Sequence, residues 1–128
     1  MPSLPDGLVV VAKRECPTCT LVEPLLAELA ADGTPVTVYV QDDPAFGRGA
    51  TRVVDDTRLE HSFALDVEIV PTLIRVENGR EVERTYGWHR GDWQRISGRA
   101  GLGAALPEVR PGCGSLTLEP GVAETLAV

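Results

Sequence analysis

Two cysteines, Cys16 and Cys19, have the C-x-x-C spacing within ECPTCTLVEPLLAEL, residues 15–29. A pair at this spacing can bind a metal, form a structural disulfide, or exchange a disulfide with another molecule. A zinc site needs four ligands, and the rest of the chain supplies only Cys113, two histidines and carboxylates, without a second paired motif. Thiol–disulfide exchange without a bound metal or other cofactor is therefore the favoured interpretation. A metal site and a structural disulfide are the alternatives.

The sequence on either side of the cysteines predicts a strand, a helix and a second strand. LVVVA, residues 8–12, is continuously apolar, as in a strand buried on both faces of a sheet. Leucines and a valine recur at helical spacing over residues 18–29, and DGTP, residues 32–35, ends that pattern. PVTVYV, residues 35–40, predicts the second strand. This order matches one βαβ crossover with the cysteines at the start of its helix.

The start of a helix suits a reactive cysteine. Unpaired backbone N–H groups and the positive end of the helix dipole both favour a thiolate over a thiol. We therefore expect Cys16 to attack a disulfide and Cys19, one turn further on, to resolve the mixed disulfide. Pro17 suits the first helical turn, where no backbone N–H is needed. Thr18 is expected to offer its hydroxyl to the Cys16 thiolate.

The following residues predict the rest of one α/β domain. QDDPAFGRGATRVVDDTR, residues 41–58, is polar and turn-rich and is interpreted as a surface excursion without recognisable chemistry. A short helix capped by Asp55 or Asp56 should follow it. Asn78 and Gly79 then join two β-rich runs in a predicted hairpin, and a helix near residues 90–99 should close the domain.

The composition changes beyond Gly101, where Gly and Pro become frequent and periodicity is lost. We therefore predict a domain in residues 1–100 and a tail or linker in residues 101–128. Cys113 lies between two glycines in this tail, and we expect an exposed thiol. The Cys113 thiol would receive the disulfide from Cys16 and Cys19, form a disulfide with a partner, or remain inert. The final VAETLAV looks like the first turns of a helix, which is consistent with a front part of a longer protein.

The charge and the apolar pattern exclude two classes of partner. Twelve basic and nineteen acidic residues give a formal charge of -7, which disfavours nucleic acid. No apolar run approaches the roughly 18 residues that span a bilayer, and the N-terminal sequence lacks the pattern of a signal peptide. We expect a cytoplasmic monomer. We therefore do not expect the three cysteines to form a disulfide framework, because the cytoplasm is reducing.

The order strand, C-x-x-C, helix and strand resembles the thioredoxin family, and three further features agree with it. Pro24 falls where family members often carry a proline that kinks the active-site helix. IVPT, residues 69–72, is similar to the family's loop in which a cis-proline faces the cysteines. Gly79 and Gly87 follow Pro71 at the spacing of the family's hairpin strands. The resemblance implies a thioredoxin-like α/β fold, with a central mixed sheet of four or five strands flanked by helices.

The resemblance covers residues 5–99 and implies a thiol–disulfide oxidoreductase. The expected cytoplasmic location favours the reduction of protein disulfides, because the glutathione pool there keeps dithiols reduced. The partners of the oxidoreductase would be disulfide-containing proteins and a thiol reductant. Val70 and Pro71 would bind the substrate beside Pro17 and Thr18, because backbone groups at Val70 can pair with an extended substrate strand.

The sequence also departs from typical thioredoxins. Glu15 and Pro17 stand where those proteins have tryptophan and glycine, and Val10 replaces a buried acid that accepts the proton of the resolving thiol. Glu15, water or the substrate would then deprotonate Cys19. The C-P-x-C centre is similar to that of glutaredoxins, so a glutathione-coupled oxidoreductase is one alternative function. A non-catalytic interaction module with the same fold is another.

Overall fold

A mixed sheet with helices packed against it forms the centre of the computed structural model, which describes residues 4–117. In chain order the elements are β1 (Gly7–Ala12), α1 (Pro17–Ala30), β2 (Val36–Val40), β3 (Arg52–Asp55), α2 (Glu60–Ala64), β4 (Ile69–Val70), β5 (Thr72–Glu77), β6 (Arg80–Tyr86), β7 (Trp88–His89), α3 (Arg90–Ser97), β8 (Val109–Arg110) and β9 (Cys113–Gly114). Five strands form the central sheet in the order β3-β2-β1-β5-β6, and two short two-stranded sheets join β4 to β9 and β7 to β8.

Strand β1 occupies the middle of the sheet, as its continuous apolar run predicts. It pairs in parallel with β2 on one side and antiparallel with β5 on the other. Parallel neighbours need a crossover connection, and helix α1 supplies it. The chain therefore leaves the carboxyl end of β1 and reaches Cys16 just before α1 begins. No helix within residues 4–117 combines the length and apolar character that a bilayer span requires.

Helix α1 begins with the cysteine motif and continues past an internal proline. Cys16 is its N-cap residue, and Pro17 occupies the first turn, where a missing N–H leaves no hydrogen bond unmade. The apolar positions of the helix, among them Val22, Leu26 and Leu29, are buried against the sheet. Pro24 lies inside the helix without ending it.

The predicted excursion at residues 41–58 contains a strand that the sequence analysis did not predict. Val53 and Val54 belong to β3, which pairs in parallel with β2 and forms one edge of the sheet. Both side chains are only partly buried. An edge strand of this kind needs neither a long apolar run nor a clear alternation, and its sequence shows neither. The N-cap residue of α2 is Leu59 and not Asp55 or Asp56 as predicted. The carboxylate of Asp56 nevertheless accepts hydrogen bonds from the backbone N–H groups of His61 and Ser62 in the first turn at 2.9 Å.

The front part of the predicted tail packs against the domain. Leu102 is buried, and the Trp88 indole donates to the carbonyl of Pro107 at 2.6 Å. Gly103 has a positive φ of 67°, and a Cβ there would lie 2.4 Å from the Trp88 ring, so this approach requires glycine. The domain boundary at residue 100 stays a prediction, as does the helical start in residues 122–128, which lie outside the described part of the chain.

Candidate functional site

The two cysteines of the motif lie together at the N-terminus of α1. Both are free thiols, and Cys16 and Cys19 are 1% and 0% exposed. The Cys16 sulfur accepts a hydrogen bond from the backbone N–H of Cys19 at 3.2 Å. A helix N-terminus that directs an N–H at a sulfur stabilises negative charge there. The N-terminus of α1 is therefore directed at the Cys16 sulfur rather than at the sulfur of Cys19.

Cys19 has different surroundings from Cys16. Burial raises the pKa of the Cys19 thiol far above its ordinary value; the neighbouring Cys16 acts in the same direction, and a backbone hydrogen bond from Lys13 opposes both. Val10 is fully buried and apolar, so it offers no proton acceptor. Glu15, one predicted proton acceptor, is exposed. Cys19 therefore remains a thiol at neutral pH until a base removes its proton.

The predicted substrate-binding loop faces Cys16. The Val70–Pro71 peptide bond is cis, and the carbonyl oxygen of Val70 lies 3.7 Å from the Cys16 sulfur, which donates to it. Val70 is fully buried, and the Thr72 hydroxyl donates to the carbonyl of Ile69 at 2.6 Å. The loop is thus held at both ends, by β4 before the proline and β5 after it.

A segment from the C-terminal part of the chain lies across this site. We call residues 109–117 the strap. Within it, Cys113 pairs with Val70 and Gly114 with Ile69 in an antiparallel ladder. At its other end the strap pairs with β7 through β8. Further hydrogen bonds hold it: Thr18 Oγ1 donates to the Pro111 carbonyl at 2.6 Å, Lys13 Nζ to the Gly114 carbonyl at 2.7 Å, and Ser115 N to the Glu68 carbonyl at 2.9 Å.

Two sequence-based expectations about this region are wrong. The Thr18 hydroxyl donates to Pro111 of the strap, although we expected it to face the Cys16 thiolate. Cys113 is partly buried in strand β9, although its glycine neighbours suggested an exposed thiol. Burial raises the pKa of Cys113, the Cys16 thiol raises it further, and the charge of Lys13 lowers it.

Two residues that position the site were missed in the sequence. The carboxylate of Asp42 accepts the backbone N–H groups of Arg14 and Glu15 at 2.7 and 2.9 Å and so fixes the loop before Cys16. The buried Gln41 amide donates to the Ser115 hydroxyl at 2.7 Å. Both residues directly follow β2, and the carboxyl ends of parallel strands share one edge of a sheet. Polar residues at that position were the available signal.

The structure brings most of the predicted site residues to one place. Pro17 is exposed beside them. Among residues 4–117, no three or more histidine, cysteine or acidic side chains are grouped so that they could hold a metal ion. The residues that meet are Cys16, Thr18, Cys19, Val70, Pro71 and Cys113.

The arrangement is similar to a known fold. A reduced thioredoxin pre-protein from Schistosoma mansoni superposes with a TM-score of 0.52 at 22% identity, over 73% of this chain and 79% of that chain. This chain has the thioredoxin fold. The likeness confirms the predicted fold class, and the five-stranded sheet agrees with the predicted four or five strands.

A second solved structure is less similar, and the two sequence comparisons found no match. Thioredoxin f2 from Chlamydomonas reinhardtii gives a TM-score of 0.49 at 22% identity, over 80% of this chain and 82% of that chain. No protein-family model matches the sequence, and no curated protein matches it. These comparisons therefore assign a fold to the chain and no activity.

Proposed function

We propose that the protein is a thiol–disulfide oxidoreductase in which Cys16 is the nucleophile and Cys19 the resolving thiol. The observation that carries this proposal is the placement of Cys16. Its sulfur caps α1, accepts the Cys19 N–H and lies against the Val70 carbonyl beside Pro71. A thiolate in this position has a backbone donor that stabilises it and a neighbouring strand that can align a substrate.

The reaction proceeds in two exchanges. The Cys16 thiolate attacks one sulfur of a substrate disulfide, so that a mixed disulfide forms and the first substrate thiolate leaves. Cys19 loses its proton and attacks the Cys16 sulfur, which releases the second substrate thiolate and leaves a Cys16–Cys19 disulfide. Two electrons pass to the substrate. A thiol reductant then returns the pair to its dithiol form.

We propose reduction of protein disulfides in the cytoplasm as the physiological direction. The cytoplasmic glutathione pool keeps dithiols of low potential reduced, and a reduced Cys16–Cys19 pair can pass two electrons to a substrate disulfide.

A redox titration tests this function. The protein is equilibrated in glutathione buffers, alkylated, and mapped by mass with each cysteine resolved. We expect Cys16 and Cys19 to oxidise together as a two-electron couple near ~-270 mV, whereas ~-120 to -200 mV would indicate an oxidant or a glutathione-coupled enzyme. Cys16→Ser should abolish reduction of a disulfide-linked peptide. If the pair shows no reversible couple, the oxidoreductase proposal fails and a non-catalytic interaction module takes its place.

A further inference from the structure

The strap occupies the edge of the sheet that a substrate would need. An extended peptide that binds beside Pro71 would pair its backbone with β4. Cys113 and Gly114 already make this pairing, opposite Val70 and Ile69. Every incoming strand must therefore displace the strap, which is a tethered segment in the position of a substrate.

The register of this pairing brings a third sulfur to the cysteine site. Directly opposite residues in an antiparallel pair have Cα atoms about 4.5–5.5 Å apart, and Cys113 is opposite Val70. The Cys16 sulfur contacts the carbonyl of that same Val70 at 3.7 Å. The two thiols also influence each other, since Cys16 contributes to the raised pKa of Cys113. Cys113 thus occupies the place of a substrate cysteine.

We propose that Cys113 is a third redox-active thiol, which exchanges a disulfide with Cys16 while the strap occupies the substrate edge of β4. This inference rests on the proposed function of Cys16. In this view Cys113 is an internal substrate of Cys16. While the Cys16–Cys113 disulfide exists, Cys16 cannot attack a disulfide of another molecule.

The exchange needs no electrons or protons from outside the chain. Starting from the Cys16–Cys19 disulfide, the Cys113 thiolate attacks the Cys16 sulfur. The Cys16–Cys113 bond forms, the Cys16–Cys19 bond breaks, and Cys19 leaves with the electron pair. The proton that Cys113 lost returns to Cys19, where burial favours the neutral thiol. No electrons enter or leave, so no further oxidant is required once the first disulfide exists.

The same geometry explains why reduced Cys16 is inaccessible. Cys16 is 1% exposed although it lies at a helix end on the active edge of the sheet. An attacking thiolate must approach the disulfide sulfur directly, and the strap blocks that approach. Exchange with an external disulfide therefore requires the strap to open first.

The first test removes Cys19, so that Cys113 is the remaining partner for Cys16 within the chain. Cys19→Ala, with the complete chain, is oxidised in glutathione buffers and mapped without reductant. We expect an intramolecular Cys16–Cys113 disulfide whose yield is independent of protein concentration. If Cys16 carries only glutathione and Cys113 stays a free thiol, the inference is overturned. The same mapping on Cys19→Ser excludes an effect of the alanine cavity, and both variants are first checked for cooperative unfolding.

The second test opens the strap without changing a cysteine. A Cβ at Gly112 would lie 2.5 Å from the Val70 carbonyl oxygen and from the Ile69 side chain, whereas a Cβ at Gly114 meets nothing within 4 Å. Gly112→Ala should therefore displace the strap, and Gly114→Ala is the matched control. We expect iodoacetamide to alkylate reduced Cys16 about tenfold faster or more in Gly112→Ala, because alkylation then no longer waits for local opening. The control should match the natural sequence.

The outcomes separate this inference from the proposed function. Equal alkylation rates in all three proteins would show that the strap does not restrict Cys16 and would overturn the inference. If the Cys16–Cys19 couple forms but Cys19→Ala yields no Cys16–Cys113 bond, the inference fails while the oxidoreductase proposal stands. If Cys16 in Gly112→Ala is readily alkylated but exchanges with neither glutathione disulfide nor a disulfide-linked peptide, the proposed function itself fails and the inference fails with it.

Discussion

Replacement of Cys19 by alanine should remove part of the alkaline sensitivity of the fold. Cys19 is 0% exposed, and burial raises its pKa far above the ordinary value, whereas the unfolded chain ionises this thiol near pH ~8.5. A raised folded-state pKa contributes stability below the unfolded pKa, and that contribution is lost as pH rises toward the folded pKa. Linkage gives a loss of about 1.4 kcal/mol per pH unit above ~8.5, or about 2 kcal/mol between about pH 7 and 10.

The measurement is urea unfolding of the natural sequence and of Cys19→Ala near pH 7, 8.5 and 10, with a phosphine reductant that keeps all thiols free. The alanine cavity destabilises the variant equally at each pH, so its effect cancels in the comparison. We expect the stability advantage of the natural sequence to shrink by about 2 kcal/mol from the lowest to the highest pH. Cys113→Ala should show a smaller change, because Cys113 is only partly buried. An advantage that stays constant with pH would refute the assigned ionisation of Cys19.

Three further substitutions test other contacts. Asp56→Asn should lower the free energy of unfolding by about 2 kcal/mol in urea titrations, because the buried carboxylate accepts two backbone N–H groups and the Ser62 hydroxyl; an unchanged midpoint would contradict this. Trp93→Phe should lower the free energy by about 1–2 kcal/mol through loss of the indole bond to the Gly87 carbonyl, as thermal unfolding can check. Asp42→Ala should slow the reduction of a peptide disulfide, because the substitution frees the loop before Cys16. The free energy of unfolding should fall by about 1 kcal/mol or less, and an unchanged reduction rate would exclude a positioning role for Asp42.

Elements with strong side-chain patterns could be predicted from the sequence. The apolar run of β1 and the helical spacing in α1 placed the cysteines at a helix start, and the structure agrees. Asn78 and Gly79 connect β5 to β6 as the hairpin signal predicted. In β1 and α1 the type and spacing of the side chains reflect burial, whereas Asn78 and Gly79 were recognised because both adopt the positive φ that the turn requires.

Elements held by backbone contacts could not be predicted in this way. Edge strand β3 has only Val53 and Val54 as apolar residues, and both remain partly exposed. The strap is held by ladder pairs and by hydrogen bonds to the Pro111 and Gly114 carbonyls. Backbone carbonyls are present at every residue, so these contacts leave no periodic signal. The position of Cys113 depends on the chain's return to β4, which local spacing does not encode.

The glycines that made the strap resemble a linker are what allow it to lie against the site. At Gly112 the Cα approaches the Val70 carbonyl so closely that a Cβ would lie 2.5 Å from that oxygen. Glycine therefore permits the contact, but it contributes no apolar side chain to stabilise it. The strap covers a buried Cys16 with four ladder pairs, two to β4 and two to β7, and several hydrogen bonds, each worth only about 0.5–1.5 kcal/mol net. Such a segment opens far more readily than the core strands unfold. The rate at which Cys16 meets an external disulfide should thus follow the opening of the strap rather than the stability of the domain.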